Sequence, residues 1–246
     1  MSRLLWIEVR RFGARRLVRV TTLLALGGIA FGAFIAYTEH FRLATLPDVP
    51  LGTALPLVVI GWLLGASFIG AEWHAGTVTT LLTWETRRIR VLLTKAIASV
   101  ACVFVLTLFL QAVLLGALSA MASFNGSVAG ADGWLTETAA VGVRVSALAA
   151  VAAAIGFAFA AVGRNTAAAL GAGFAYVVVV ENLVRGLKPA WSRWLFGENG
   201  GLFLLGPSND FPDLDRSQLG AGAYLMLVSA ILLVVSGLVF RSRDVN

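Results

Sequence analysis

His40 and His74 are the only histidines among 246 residues, and an apolar run, Leu51–Ala71, lies between them. A protein metal site draws together three or four His, Cys or carboxylate ligands. The single cysteine, Cys102, sits inside another apolar run, so the sequence offers neither a His/Cys cluster nor an intrachain disulfide. Gly206-Pro207-Ser208-Asn209 and Gly65-Ala66-Ser67-Phe68 faintly resemble serine-nucleophile turns. A nucleophilic serine needs a base within hydrogen-bond reach, and no apolar run contains a histidine. A phosphate-binding loop ends in Lys followed by Ser or Thr; here Lys95 precedes Ala96 and Lys188 precedes Pro189. The chain is therefore expected not to be an enzyme and to need no cofactor or metal, and any ATP-driven work would place hydrolysis on a separate polypeptide.

Two polar residues within apolar sequence remain as candidates for a substrate path. Gln111 lies deep in an otherwise apolar run, where an amide serves either as a helix–helix hydrogen bonder or as a transport ligand. Glu181 and its neighbour Asn182 interrupt a run of apolar residues. A carboxylate facing lipid at mid-depth costs about 2.5–3.5 kcal/mol. Glu181 is thus expected either at the outer interface, paired with Arg185 or Arg144, or facing the bundle interior on a substrate path.

Composition dictates the elements that position these residues. Hydrophobic residues make up 59% of the chain and charged residues 13%, with a mean hydropathy of +0.86, which is outside the soluble range. About 20 apolar residues cross a bilayer as a helix, and the runs 20–38, 51–71, 96–121, 141–163, 167–184 and 220–240 serve as spans. The expected fold is an all-α integral membrane protein, one transmembrane domain over 1–246. Residues 1–19 place Leu5, Trp6, Val9 and Phe12 on one helical face and Arg3, Arg10, Arg11 and Arg15 on the other, the pattern of a basic interfacial helix. The long run that follows, without a small-x-small cleavage site, argues against a cleavable signal peptide. Ala152, Gly156 and Ala160 and, across a tight turn, Ala167, Gly171 and Ala175 are small residues four apart, which predicts close packing of the fourth span on the fifth. The interval 186–219 mixes Trp191 and Trp194 with Gly and Pro, and tryptophan favours the headgroup level. Most Lys and Arg fall in the N-terminal segment, the stretch 72–95, the Arg164 turn and the C-terminal tail, which predicts that both termini are cytoplasmic. The net charge of +6 is then a set of anchors facing anionic membrane lipid, with no nucleic acid partner implied.

The stretch 72–95 is polar and carries Arg87, Arg88, Arg90 and Lys95, while Val78, Leu81 and Leu82 fall at helical spacing and form a short apolar ridge. The order Glu72, Gly76-Thr77, Leu81-Leu82, Arg87 or Arg88, then Lys95 opening the next span resembles the first cytoplasmic loop of ABC-2 type exporter permeases. Glu85-Thr86 stands where that family often has Pro-Ser. The resemblance implies six spans with an N-terminal elbow helix at 1–19, an outer re-entrant segment at 186–219, and a coupling segment at 72–95. By the same resemblance Glu72, Gly76, Thr77, Val78, Leu81, Leu82, Arg87, Arg88 and Lys95 engage a cognate ABC ATPase subunit, in two copies. It further implies a second permease copy or a related permease, in a bacterial cytoplasmic membrane. Two other readings stay open: an ion-coupled secondary transporter acting without an ATPase, which would need acids or broken helices near mid-membrane, and a non-transporting membrane scaffold subunit.

Overall fold

The computed structural model describes residues 2–38, 48–76, 88–124, 133–207 and 215–242. Among them the chain is helical and carries no strand, as backbone groups in hydrocarbon demand when no water is present to satisfy them. The helices are α1 (Ser2–Ala14), α2 (Arg16–Thr38), α3 (Asp48–Gly52), α4 (Ala54–His74), α5 (Arg88–Phe124) and α6 (Trp134–Gly163). A rod from Thr166 to Leu187 follows, made of α7 (Thr166–Ala175), a π-helical turn (Tyr176–Val180) and α8 (Glu181–Leu187). A 3-10 turn (Pro189–Trp194), α9 (Phe196–Leu205) and α10 (Gln218–Ser242) complete the order. Among the described residues six elements are long and apolar enough to cross a membrane: α2, α4, α5, α6, the Thr166–Leu187 rod and α10. The protein is a multi-pass membrane protein by this architecture.

The boundaries differ from the hydropathy reading where charge interrupts an otherwise helical pattern. The third span does not begin at Ala96. Helix α5 already runs from Arg88, and Val91, Leu92, Thr94 and Lys95 are buried along that first stretch. Its 37 residues reach about 55 Å, well beyond a hydrocarbon core of about 30 Å. The fourth span likewise starts at Trp134 instead of 141, and the N-terminal helix stops at Ala14, leaving Arg16 to open α2.

Helix α6 is the most buried of the six spans, and α4 lies against it along most of its length. The reason is in the small residues. A Cβ on Gly61 would strike the carbonyl of Ala149, one on Gly65 the carbonyl of Ala153, and one on Gly156 the carbonyl of Trp62. The two backbones thus touch through Gly61 and Gly65 on α4 and Ala149, Ala153 and Gly156 on α6, all at four- or three-residue steps. This corrects the expected hairpin packing. Ala152, Gly156 and Ala160 are buried, but Gly156 serves α4, while Ala167, Gly171 and Ala175 of the fifth span are exposed. The buried face of that span is instead Ala169 and Gly173, with Gly173 against the Trp62 ring. A tight turn still joins the two helices: Arg164 takes a left-handed conformation with φ 52°, and Asn165 caps α7 by accepting from the Ala167 N–H at 2.8 Å.

Helix α1 also presents a different face from the one its apolar residues predict. Trp6 is exposed, whereas Glu8 and Phe12 are buried. Glu8 falls three residues after Leu5 and four before Phe12, so it shares their side of the helix. The N-terminal helix therefore turns its one acid toward the bundle.

Candidate functional site: a buried ion cluster joining α1, α4 and α5

The order of the helices brings the start of α2, the end of α4, the start of α5 and the end of α6 to one end of the bundle, where α1 also packs on α5. There Lys95 is 1% exposed, a burial that an ammonium tolerates only when paired. Its Nζ donates to Glu8 Oε2 at 2.8 Å and lies 2.9 Å from Glu72 Oε2. Arg15, in the break between α1 and α2, approaches Glu72 Oε1 at 3.6 Å. Its guanidinium also donates to the carbonyls of Ser67 at 2.7 Å and Phe68 at 2.9 Å. Phe68 is fully buried beneath both cations, with Arg15 4.7 Å and Lys95 5.4 Å from its ring centroid, and Phe12 packs against it. Arg11 closes the outer edge on Glu8 at 3.3 Å.

Carboxylates and cations alternate through the cluster, so neither sign is left buried without its counter-charge. Burial lowers the Arg15 pKa from its ordinary value, with Glu72 and Glu8 pulling the other way; a guanidinium remains charged throughout the physiological range. What the cluster can do is fix geometry, because α1, α4, α5 and the α1–α2 break are held together by donors and acceptors shared across long sequence separations.

Of the residues singled out in the sequence, the structure brings Glu72 and Lys95 together directly. Gly76 follows the end of α4 with φ +66°, a conformation that favours glycine, and its N–H donates to the Trp73 carbonyl. Arg88 opens α5. Thr77, Val78, Leu81, Leu82 and Arg87 lie outside the described residues. The cluster therefore forms the base from which that segment leaves α4 and to which it returns at α5. Glu8 and Arg15 are the partners that sequence reading missed. Glu8 is legible from its register with Leu5 and Phe12, whereas the helical pattern of 1–19 places Arg15 on the basic face of an interfacial helix, away from the bundle.

Glu181 and Gln111 lie elsewhere and do different work. Glu181 is 2% exposed at the opposite end of the bundle. Its Oε1 accepts from the Gly197 N–H at 2.8 Å and its Oε2 pairs with Arg185 at 3.1 Å. Helix α9 has Leu195 at its N-cap, which offers no side-chain acceptor. Glu181 supplies that acceptor from a distance, and a carboxylate suits the positive end of a helix. Arg185 also donates to Glu198 at 2.6 Å, and Arg216 bonds the buried Asn199 while lying over the rings of Trp194 and Tyr224. The segment after α8 is thereby clasped to α10. Gln111, 5% exposed, donates to Thr53 Oγ1 at 2.7 Å and so links α5 to the start of α4, while its Oε1 has no partner among the described residues.

No protein-family model matches the chain, and no curated protein matches it closely enough to count as a relative.

Proposed function

We propose that the chain is the transmembrane permease subunit of an ATP-driven exporter of the ABC-2 type, with the cluster-bearing end in the cytoplasm of a bacterial cell. The observation that carries this reading is Lys95. A fully buried ammonium that bridges Glu8 and Glu72 makes both roots of the 77–87 segment part of one stiff frame. A loop rooted in such a frame can pass a push to the helices, whereas a loop on flexible roots would absorb it. The sequence adds the apolar ridge Val78, Leu81 and Leu82 for a partner to grip, flanking arginines that favour the cytoplasmic face, and no phosphate-binding loop of its own. The partner is then a separate ATPase, acting as two copies on a pair of permeases, and α1 becomes the elbow helix along the inner leaflet. The place of Glu181 weighs against an ion-coupled transporter, since its carboxylate is committed to a helix cap and to Arg185.

Copurification tests the reading. The chain should retain a P-loop ATPase encoded beside it, and Val78→Asp or Leu81→Asp should abolish the association while the permease stays folded. Association that survives both substitutions would remove the docking assignment.

A further inference from the structure

The fifth span exposes an amide beside a run of valines. Asn182 lies in the Thr166–Leu187 rod just after Val177, Val178, Val179 and Val180, all of them exposed. Its Nδ2 donates to the Val178 carbonyl at 2.9 Å and reaches that of Val177 at 3.4 Å. The reason lies in the π-helical turn. In an α-helix the Glu181 N–H would serve Val177, four residues back; here it donates to the Tyr176 carbonyl, five back. A carbonyl that loses its donor in hydrocarbon costs free energy, and the Asn182 side chain donates there in its place. Consecutive β-branched residues, stiff against the preceding turn, weaken the competing α-helix.

The extra residue in that turn sets which way the rod faces beyond it. Ala169 and Gly173 mark the side turned to the bundle, with Gly173 against the Trp62 ring. At about 100° per residue, an unbroken α-helix would put Glu181 about 80° away from Gly173. One extra residue takes back about 100°, which leaves Glu181 within about 20° of Gly173. Glu181 is buried there. The same turn aligns Tyr176 with Glu181. Residues five apart stand about 140° apart on an α-helix, but a π-helical turn stacks them as an α-helix stacks residues four apart. Both then meet the start of α9. The Tyr176 hydroxyl accepts from the Phe196 N–H at 3.4 Å, with the two rings edge-on at 5.5 Å, and Glu181 accepts from the Gly197 N–H at 2.8 Å.

We propose that the π-helical turn is a register device, held by Asn182, that fastens α9 to the fifth span. In the π register Tyr176 and Glu181 face the start of α9 together; conversion to α-helix turns Glu181 aside and releases it. Asn182 is a positioning residue that acts through the Val177 and Val178 carbonyls. The device stands apart from the exporter reading and holds or fails in the chain alone.

Hydrogen exchange on the purified full chain in lipid nanodiscs tests it. Asn182→Leu should favour the α-helix and raise exchange at 196–199 by about 5- to 30-fold, the scale of a lost helix cap. Residues 149–156, in the α4–α6 contact, should stay within about twofold and so report that the bundle is folded. Deleting Val179 in the same variant removes the extra residue, so an unbroken α-helix again carries Glu181 to the Gly173 side. Protection at 196–199 should then return to within about twofold of the unaltered chain. Glu181→Ala added to Asn182→Leu should change 196–199 by less than about twofold, because the cap is already lost. Protection that survives Asn182→Leu overturns the device, as does a Val179 deletion that fails to restore it or a Glu181→Ala effect that multiplies the first. A rise as large at 149–156 as at 196–199 would also refute it, since the loosening would not be confined to the fastening of α9.

Discussion

Replacing Lys95 by methionine should be the most damaging single change at the cluster. The substitution keeps much of the side chain's apolar length but leaves Glu8 and Glu72, at 2% and 14% side-chain exposure, facing each other with no ammonium between them. An exposed pair would lose about 0–1 kcal/mol; breaking a buried pair by removing one partner costs about 3–5 kcal/mol. Lys95 lies in the second class, since its Nζ touches both carboxylates within 3 Å and its side chain is 1% exposed. That loss corresponds to a fall in melting temperature on the order of 10 °C for a chain of this size, read by thermal unfolding in detergent or nanodiscs. The double variant Lys95→Met with Glu8→Gln should recover much of the loss. It removes the carboxylate most deeply buried and leaves Glu72 with Arg15 at 3.6 Å. A double-mutant cycle gives the coupling directly. A loss below about 1 kcal/mol for Lys95→Met, or effects of the two substitutions that simply add, would show that the cluster does not hold the bundle end together.

The α4–α6 contact makes a second prediction: Gly65→Val should separate the two backbones, because its Cβ would lie on the Ala153 carbonyl, with a stability loss of about 1–3 kcal/mol or more, whereas Gly116→Val on α5, where nothing lies near, should be far milder in the same unfolding assay. At the opposite end, Glu181→Ala should uncap α9 at a cost of about 1–2 kcal/mol, seen as faster amide exchange at 196–199; Glu181→Gln, which keeps an acceptor for Gly197, should cost less. Substrate-dependent loss of function in Glu181→Gln without any change in exchange would instead place that carboxylate on a substrate path.

The six spans were legible because hydrocarbon imposes one requirement on every span, a run of about 20 apolar residues. Their ends were not. Arg88, Arg90 and Lys95 made 88–95 read as part of a loop, yet Val91, Leu92 and Thr94 continue the helix and Lys95 finds its counter-charges on α1 and α4, which hydropathy cannot foresee. Of the two small-residue stripes, the one through Gly156 does make a backbone contact, but with α4, and the one through Gly171 is exposed. A glycine records that another backbone comes close; it does not record whose. Gly156 belonged to α4 because Gly61 and Gly65 carry a matching stripe there. The role of Glu181 was half legible: the cost of a carboxylate in lipid called for an interface or interior place, with Arg185 or Arg144 as the partner at the interface, but capping of α9 depended on a fold-back that the residues between do not encode at any fixed spacing.

The stiffness of the α4–α6 pair limits how a force at the end of α4 can act on the bundle. Because α4 meets α6 backbone to backbone at Gly61, Gly65 and Gly156, sliding one helix along the other would drive carbonyls into the opposing chain. A force applied beyond the end of α4 can then be relieved in two ways: by bending at Gly76, whose left-handed conformation already turns the chain out of the helix, or by tilting α4 and α6 as one body. The ion cluster decides between them. With Glu72 bound to Lys95 at the start of α5 and to Arg15 at the root of α2, the end of α4 cannot swing alone without breaking buried ion pairs. Concerted tilting of α4, α5 and α6 is therefore the response that leaves those ion pairs whole.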